Sequence, residues 1–139
     1  MQASELRVGN IVETLHTNGS PEQWIKIEID PIHILTCKLH PDWFRPIPLS
    51  RDILKEIGFR YRAAGCGGQD SWAGYGSWQF IGDDNFNFLG NAKGDQLFFG
   101  RVHEWEYKHV HEIQNLYASL TRGKKLGVNN YPEWVQKAI

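Results

Sequence analysis

Six side chains able to bind a metal or move a proton, His103, Glu104, Glu106, His109, His111 and Glu112, fall within ten residues of one another. Imidazole and carboxylate are good ligands for zinc and similar ions. The spacing argues against such a site. No HExxH or HxxxH pair sets two imidazoles on one helical face. In a strand, His103 and Glu104 point to opposite faces. If a helix begins near His109, that residue projects toward the apolar stripe and His111 points away. The cluster then reads as a polar strand end running into a helix N-terminus, and neither a metal nor a cofactor is expected. His109 remains a candidate for hydrogen bonding to a ligand or for pH sensing.

A second concentration of chemistry lies in the glycine-rich stretch 63–77, followed by Trp78. Closely spaced glycines let backbone N–H groups approach a phosphate. The stretch contains neither GxxxxGK[ST] nor GxGxxG spacing, so a nucleotide loop of either kind is excluded. Its aromatics, Trp72, Tyr75 and Trp78, could stack on a base or a sugar or supply hot spots for a protein contact. Arg60 and Arg62 flank Tyr61, and Arg45 follows Trp43 and Phe44. Such mixtures of guanidinium and ring occur in RNA-binding barrels and equally in ordinary edge strands. Cys66 sits beside glycine but lacks a fixed histidine partner. Asp70, Asp83 and Asp84 read as turn residues. No catalytic residue is assigned. The candidate ligand-binding set is Trp72, Tyr75, Trp78, His109, Arg60 and Arg62.

The elements that would position these groups suggest an α+β protein. Residues 1–49 read as short strands: Leu6 to Leu15 with a Gly9-Asn10 break, Gln23 to Ile29, Ile32 to Lys38, and an edge segment from Trp43 to Leu49 that carries Pro46 and Pro48. Between Gln23 and Ile29 the isoleucines 25, 27 and 29 share a face. This pattern suggests an SH3-like small β-barrel or sheet. Ser50 is a good N-cap for a two-turn helix that Gly58 ends. Strands at Trp78–Ile81, Asn85–Leu89 and Gln96–Tyr107 then form an antiparallel meander. A C-terminal amphipathic helix spans about 109–122, where Val110, Ile113, Leu116, Tyr117 and Leu120 occupy one arc at roughly 100° per residue. That helix is expected to pack on the meander. The units expected are 1–49, 50–126 with a shared core, and a C-terminal extension at 127–139.

The 139 residues carry a net charge of −1, with 41% hydrophobic and 13% aromatic content. A chain this close to neutral has little long-range attraction for nucleic acid or anionic lipid, so neither is expected as a partner. No apolar run approaches a membrane span, and no signal-peptide pattern is present. Cys37 and Cys66 share no CxxC spacing, so both are expected to be free thiols in a reducing compartment. A cytoplasmic setting is expected.

Three blocks carry a family resemblance: Ala3-Ser-Glu-Leu-Arg-Val-Gly-Asn10, Pro46-Ile-Pro-Leu-Ser50 with Ile57-Gly-Phe59, and Val110-His-Glu-Ile-Gln-Asn-Leu-Tyr-Ala-Ser-Leu-Thr121. Their order resembles a family of small, mostly uncharacterised proteins encoded by phages and prophages of anaerobic gut bacteria. The resemblance spans residues 3 to about 126, and its last block is the most specific. It implies phage association and a host-cell cytoplasm, and it transfers no active-site residue. The stretch 63–77 and the tail 127–139 depart from the pattern. The expected function is a non-enzymatic accessory binding protein. It would antagonise host defence by binding a host or phage protein or by sequestering a nucleotide signal, and it would form a homo-oligomer. A virion or assembly component and a nucleic-acid-binding regulator are the alternatives.

Overall fold

The computed structural model describes residues 1–16, 23–63, 75–83, 85–99 and 106–126. The chain is α+β, with three α-helices and two antiparallel sheets among these residues. It divides into two compact units. One contains Met1–Ile47 and His109–Lys125, and the other Pro48–Lys108.

The first unit is built on strand β1 (Ile11–His16), paired antiparallel with β2 (Gln23–Glu28) on one side and the two-residue β3 (Phe44–Arg45) on the other. Gly9 adopts φ +95° just before β1, and its N–H donates to the Ile29 carbonyl. A left-handed turn therefore stands where the Gly9-Asn10 pair broke the strand pattern. Ile27 and Ile29 face a core shared with Leu6, Val12, Cys37 and Phe44, as the alternation of β2 requires. The sheet of described strands is open, with β2 and β3 as its edges. At the β3 edge Arg45 lies over the Trp24 ring, 4.2 Å from its centroid, and pairs with Glu13 at 3.1 Å.

Residues Ile32 to Lys38, expected as a strand, lie instead in helix α1 (Pro31–Leu39). The physical reason lies at its start. The Asp30 carboxylate accepts the His33 N–H at 3.0 Å, the His33 ring accepts the Asp30 N–H at 3.0 Å, and Pro31 occupies the first turn. This cap satisfies orphan donors of the first turn. Ile32 and Ile34 fit either a strand or a helix, so the cap decides.

Helix α3 (Val110–Leu120), expected to pack on the meander, groups with this first unit. Its buried residues are Val110, His111, Ile113, Gln114 and Tyr117, whereas Leu116 is half-buried and Leu120 is 56% exposed. The buried arc is thus rotated toward the polar side of the expected apolar stripe, by roughly 70° on a 100° wheel. Hydrogen bonds to the segment before β1 account for the rotation. Gln114 Oε1 accepts the Ile11 N–H at 2.8 Å, and Gln114 Nε2 donates to the Gly9 carbonyl at 3.2 Å. Asn10 Nδ2 donates to Asn115 Oδ1 at 2.8 Å, and Asn115 Nδ2 donates to the Glu5 carbonyl at 3.2 Å. The bend before β1 leaves the buried Ile11 N–H and the less buried Gly9 and Glu5 carbonyls without strand partners, and amides on α3 supply them.

The second unit opens with α2 (Arg51–Ile57). Ser50 Oγ accepts the Ile53 N–H at 3.3 Å, and Gly58 ends the helix at φ +118°. Both are as expected from sequence, because caps are local. Five strands follow in the order β4 (Phe59–Arg62), β5 (Tyr75–Phe80), β6 (Asn87–Asn91), β7 (Leu97–Phe99) and β8 (Glu106–Tyr107). This meander has two strands more than the sequence pattern suggests. β4 joins it directly from α2. The segment read as one strand from Gln96 to Tyr107 contains two, β7 and β8, which pair antiparallel. The inner face is aromatic. Tyr61, Trp78, Phe88 and Phe99 form one cross-strand row, and Phe59 and Phe80 face each other in another. Their rings lie 5.0–5.9 Å apart in tilted and edge-on contacts, the range favoured for aromatic pairs. Gly90 has no room for a side chain, since a Cβ there would lie 2.6 Å from Leu97 and 2.7 Å from the Gln96 carbonyl oxygen.

Candidate functional site

Alternation along β4–β6 decides which sequence candidates can meet a ligand. Trp78 and Phe80 point inward, so Gln79 points outward. Arg60 pairs with Gln79, and Gln79 with Asn87. Directly opposed residues share a face, so Arg60, Gln79 and Asn87 form a polar row across three strands. The next row holds Arg62, Ser77, Leu89, Phe98 and Glu106. Arg60, Gln79 and Asn87, with Phe80 and Ile81, line a hollow of about 400 Å³. Arg60 Nε donates to Gln79 Oε1 at 3.4 Å, which turns the guanidinium along the row. Its terminal NH2 groups have no acceptor among the described residues. Such a row can meet a carboxylate or phosphate through the guanidinium. The amide NH2 groups of Gln79 and Asn87 can donate to acceptors on a ligand, whereas Asn87 Oδ1 is buried and Gln79 Oε1 accepts from Arg60.

The sequence candidates fare unequally. Arg60 lies in the hollow, and Arg62 stands exposed on the same face two residues along β4. Trp78 is a correction. It is fully buried, its ring packs on Tyr61, and its indole N–H donates to the Asn91 carbonyl at 2.9 Å. It is a core residue with its polar atom satisfied, and no ligand can reach it. Tyr75 to Ser77, read as part of the glycine-rich loop, belong to β5, where Tyr75 pairs with Asn91. Trp72, Cys66, His103 and the tail 127–139 lie outside the described residues. Gln79 and Asn87 were missed. The signal for Gln79 was available in the Trp-Gln-Phe alternation, while Asn87 required the strand register.

The His109 reading is also corrected. His109 is the N-cap of α3: its N–H donates to Glu112 Oε1 at 2.9 Å, and its Nδ1 lies 2.8 Å from the same oxygen. Its task is to start the helix. The buried imidazole among the described residues is His111, at 4% exposure, whose Nδ1 is buried with no hydrogen-bond partner among those residues. The two rings stack with centroids 5.8 Å apart. Desolvation pushes the His111 pKa below the ordinary histidine value. Glu112 opposes that shift, His109 adds to it, and Glu5 opposes it. The native unit therefore binds this proton less readily than the unfolded chain, which titrates near about 6.5. Stability is then full above that pH and falls as the pH drops below it toward the native value. Urea midpoints at pH 7.5 and pH 5.0 should show this acid loss, and replacing His111 with Leu should flatten it.

No group of three or more His, Cys, Asp or Glu able to hold a metal occurs among the described residues. Cys37 is a free thiol at 0% exposure, with its pKa raised by burial, which suits packing rather than nucleophilic chemistry. No described helix is long and apolar enough to cross a membrane. Comparison of the chain with models of protein families, with curated proteins and with solved structures finds no match.

Proposed function

We propose that this chain is a non-enzymatic binding protein that holds a small anionic ligand of the nucleotide class on the outer face of its five-stranded sheet. The observation that carries this reading is the in-register row of Arg60, Gln79 and Asn87 around a hollow of about 400 Å³. That volume lies in the range of small-molecule sites. A cation beside two amides suits a phosphate joined to a hydrogen-bonding base or sugar. The resemblance to phage and prophage proteins supplies the biological reading. The protein would sequester a nucleotide signal in the host cytoplasm during infection and so antagonise defence. A nucleic-acid regulator is less well supported, because the net charge is −1 and the aromatic row of this sheet faces inward rather than toward a strand of bases.

The test is equilibrium binding of a cyclic dinucleotide and of ADP-ribose to the purified protein, with the released compound analysed by mass spectrometry. Intact recovery is expected. Arg60→Ala should weaken binding about 10- to 100-fold, the range for losing a hydrogen bond to a charged group, without shifting the thermal midpoint. Absence of binding by both probes, or equal binding by Arg60→Ala, would refute the site. Recovery of a cleaved product would make the protein an enzyme.

A further inference from the structure

The outer face of the five-stranded sheet continues past the row that holds Arg60. The next row runs Arg62, Ser77, Leu89, Phe98 and Glu106 from β4 to β8, each residue directly opposite the next. It is charged at both ends and apolar toward the middle. Arg62 is exposed at the β4 end, on the same face as Arg60. Leu89 and Phe98 are half-buried neighbours. Glu106 stands at the β8 end with its side chain 30% exposed. Its Oε2 lies 3.8 Å from Lys108 Nζ, too far for a hydrogen bond. Among the described residues its carboxylate accepts no hydrogen bond.

Resting on the nucleotide reading of the Arg60 hollow, we infer that this second row makes the ligand a guanine nucleotide, laid across the strands with its phosphates at β4, its base over Leu89 and Phe98, and its Watson–Crick edge at Glu106. Charge sets the direction. Two guanidinium groups at the β4 edge attract phosphate, and the carboxylate at the β8 edge repels it. Neighbouring strands are about 4.8 Å apart, so β4 and β8 are separated by about 19 Å. A nucleoside diphosphate covers that span once arginine leans in at one end and glutamate at the other. Leu89 and Phe98 give the flat base an apolar floor, as aromatic side chains do for bases elsewhere. Glu106 then chooses the base. A carboxylate only accepts hydrogen bonds. Guanine offers two adjacent donors, N1–H and an N2 amine, which one carboxylate can meet in the paired geometry it uses with arginine. Adenine offers one amine beside the N1 lone pair, so it makes one bond and sets a lone pair against an anion.

Equilibrium binding of GDP and of ADP to the full chain is the test. GDP should bind about 10-fold tighter than ADP or more, the worth of a hydrogen bond to a charged group. Glu106→Gln should erase or reverse that preference, because its amide can donate to adenine N1 and accept from the adenine amine. The circular dichroism spectrum and thermal midpoint should stay unchanged. A side chain that merely held β8 in place would lower both affinities together and leave their ratio intact. Arg62→Ala should weaken GDP about 10-fold and keep the ratio of GDP to ADP near its original value. Equal binding of GDP and ADP, both weakened by Arg60→Ala, overturns the guanine assignment and leaves the hollow a nucleotide site. A GDP preference that survives Glu106→Gln, or GDP binding indifferent to Arg62→Ala, overturns the crosswise orientation in the same way. Binding of neither nucleotide overturns the inference, and the hollow falls with it only if the cyclic dinucleotide and ADP-ribose also fail to bind.

Discussion

Trp78→Ala is expected to destabilise the second unit by about 3–5 kcal/mol, the range for truncating a large buried aromatic. Trp78 is fully buried in the middle of the five-stranded sheet, between Tyr61 on β4 and Phe88 on β6. Its removal opens a cavity beneath the aromatic row and leaves the Asn91 carbonyl without the indole donor. Neighbouring rings cannot collapse into the gap, because Phe59, Phe80 and Phe88 are held by strand register and by one another. Urea denaturation followed by far-ultraviolet circular dichroism gives the measurement. A loss below about 1 kcal/mol, with ligand binding impaired, would return Trp78 to the role its sequence context suggested, an exposed stacking platform.

Gln114→Leu should cost about 1–3 kcal/mol, although it replaces a polar residue by an apolar one of similar size in a buried position. The reason is what the amide leaves behind. The Ile11 N–H loses its acceptor and the Gly9 carbonyl loses its donor, and a buried backbone group without a partner costs about that much. Gln114→Glu should recover part of the loss, since a carboxylate oxygen still accepts from Ile11 while the Gly9 carbonyl stays unpaired. Hydrogen exchange at the Ile11 amide is the direct readout, and protection there should fall in the leucine variant. Full stability in Gln114→Leu would mean that α3 is held by Val110, Ile113 and Tyr117 alone.

These two residues mark where sequence reading was misled. Trp78 follows a glycine-rich stretch, and its neighbours suggested a loop. Its burial comes from pairing with β4 and β6, whose partner residues lie 10 to 17 positions away. Gln114 sits beside a good apolar stripe. A helical wheel assigns polar residues to solvent because it has no knowledge of the peptide groups opposite. Of the proposed site, Arg60 and Arg62 stood out in the sequence because paired guanidinium groups are conspicuous in a near-neutral chain. The row that completes Arg60 required register, which depends on strand pairing and not on composition.

What the sequence by itself determined is what short-range physics controls. Ser50 and Gly58 bound α2 because a cap needs one side chain and a few adjacent peptides. The isoleucine alternation oriented β2 because side chains along a strand alternate by geometry. The tertiary structure decided the choices that depend on distant partners. Ile32 to Lys38 fit both periods until the cap at Asp30 and burial of Cys37 made a helix. Helix α3 took a rotated face because the backbone around Gly9 and Ile11 needed its amides. Arg60 acquired Gln79 and Asn87 only when three strands aligned. In each case the deciding free energy is that of satisfying a buried polar group or filling a core, and the partner comes from elsewhere in the chain.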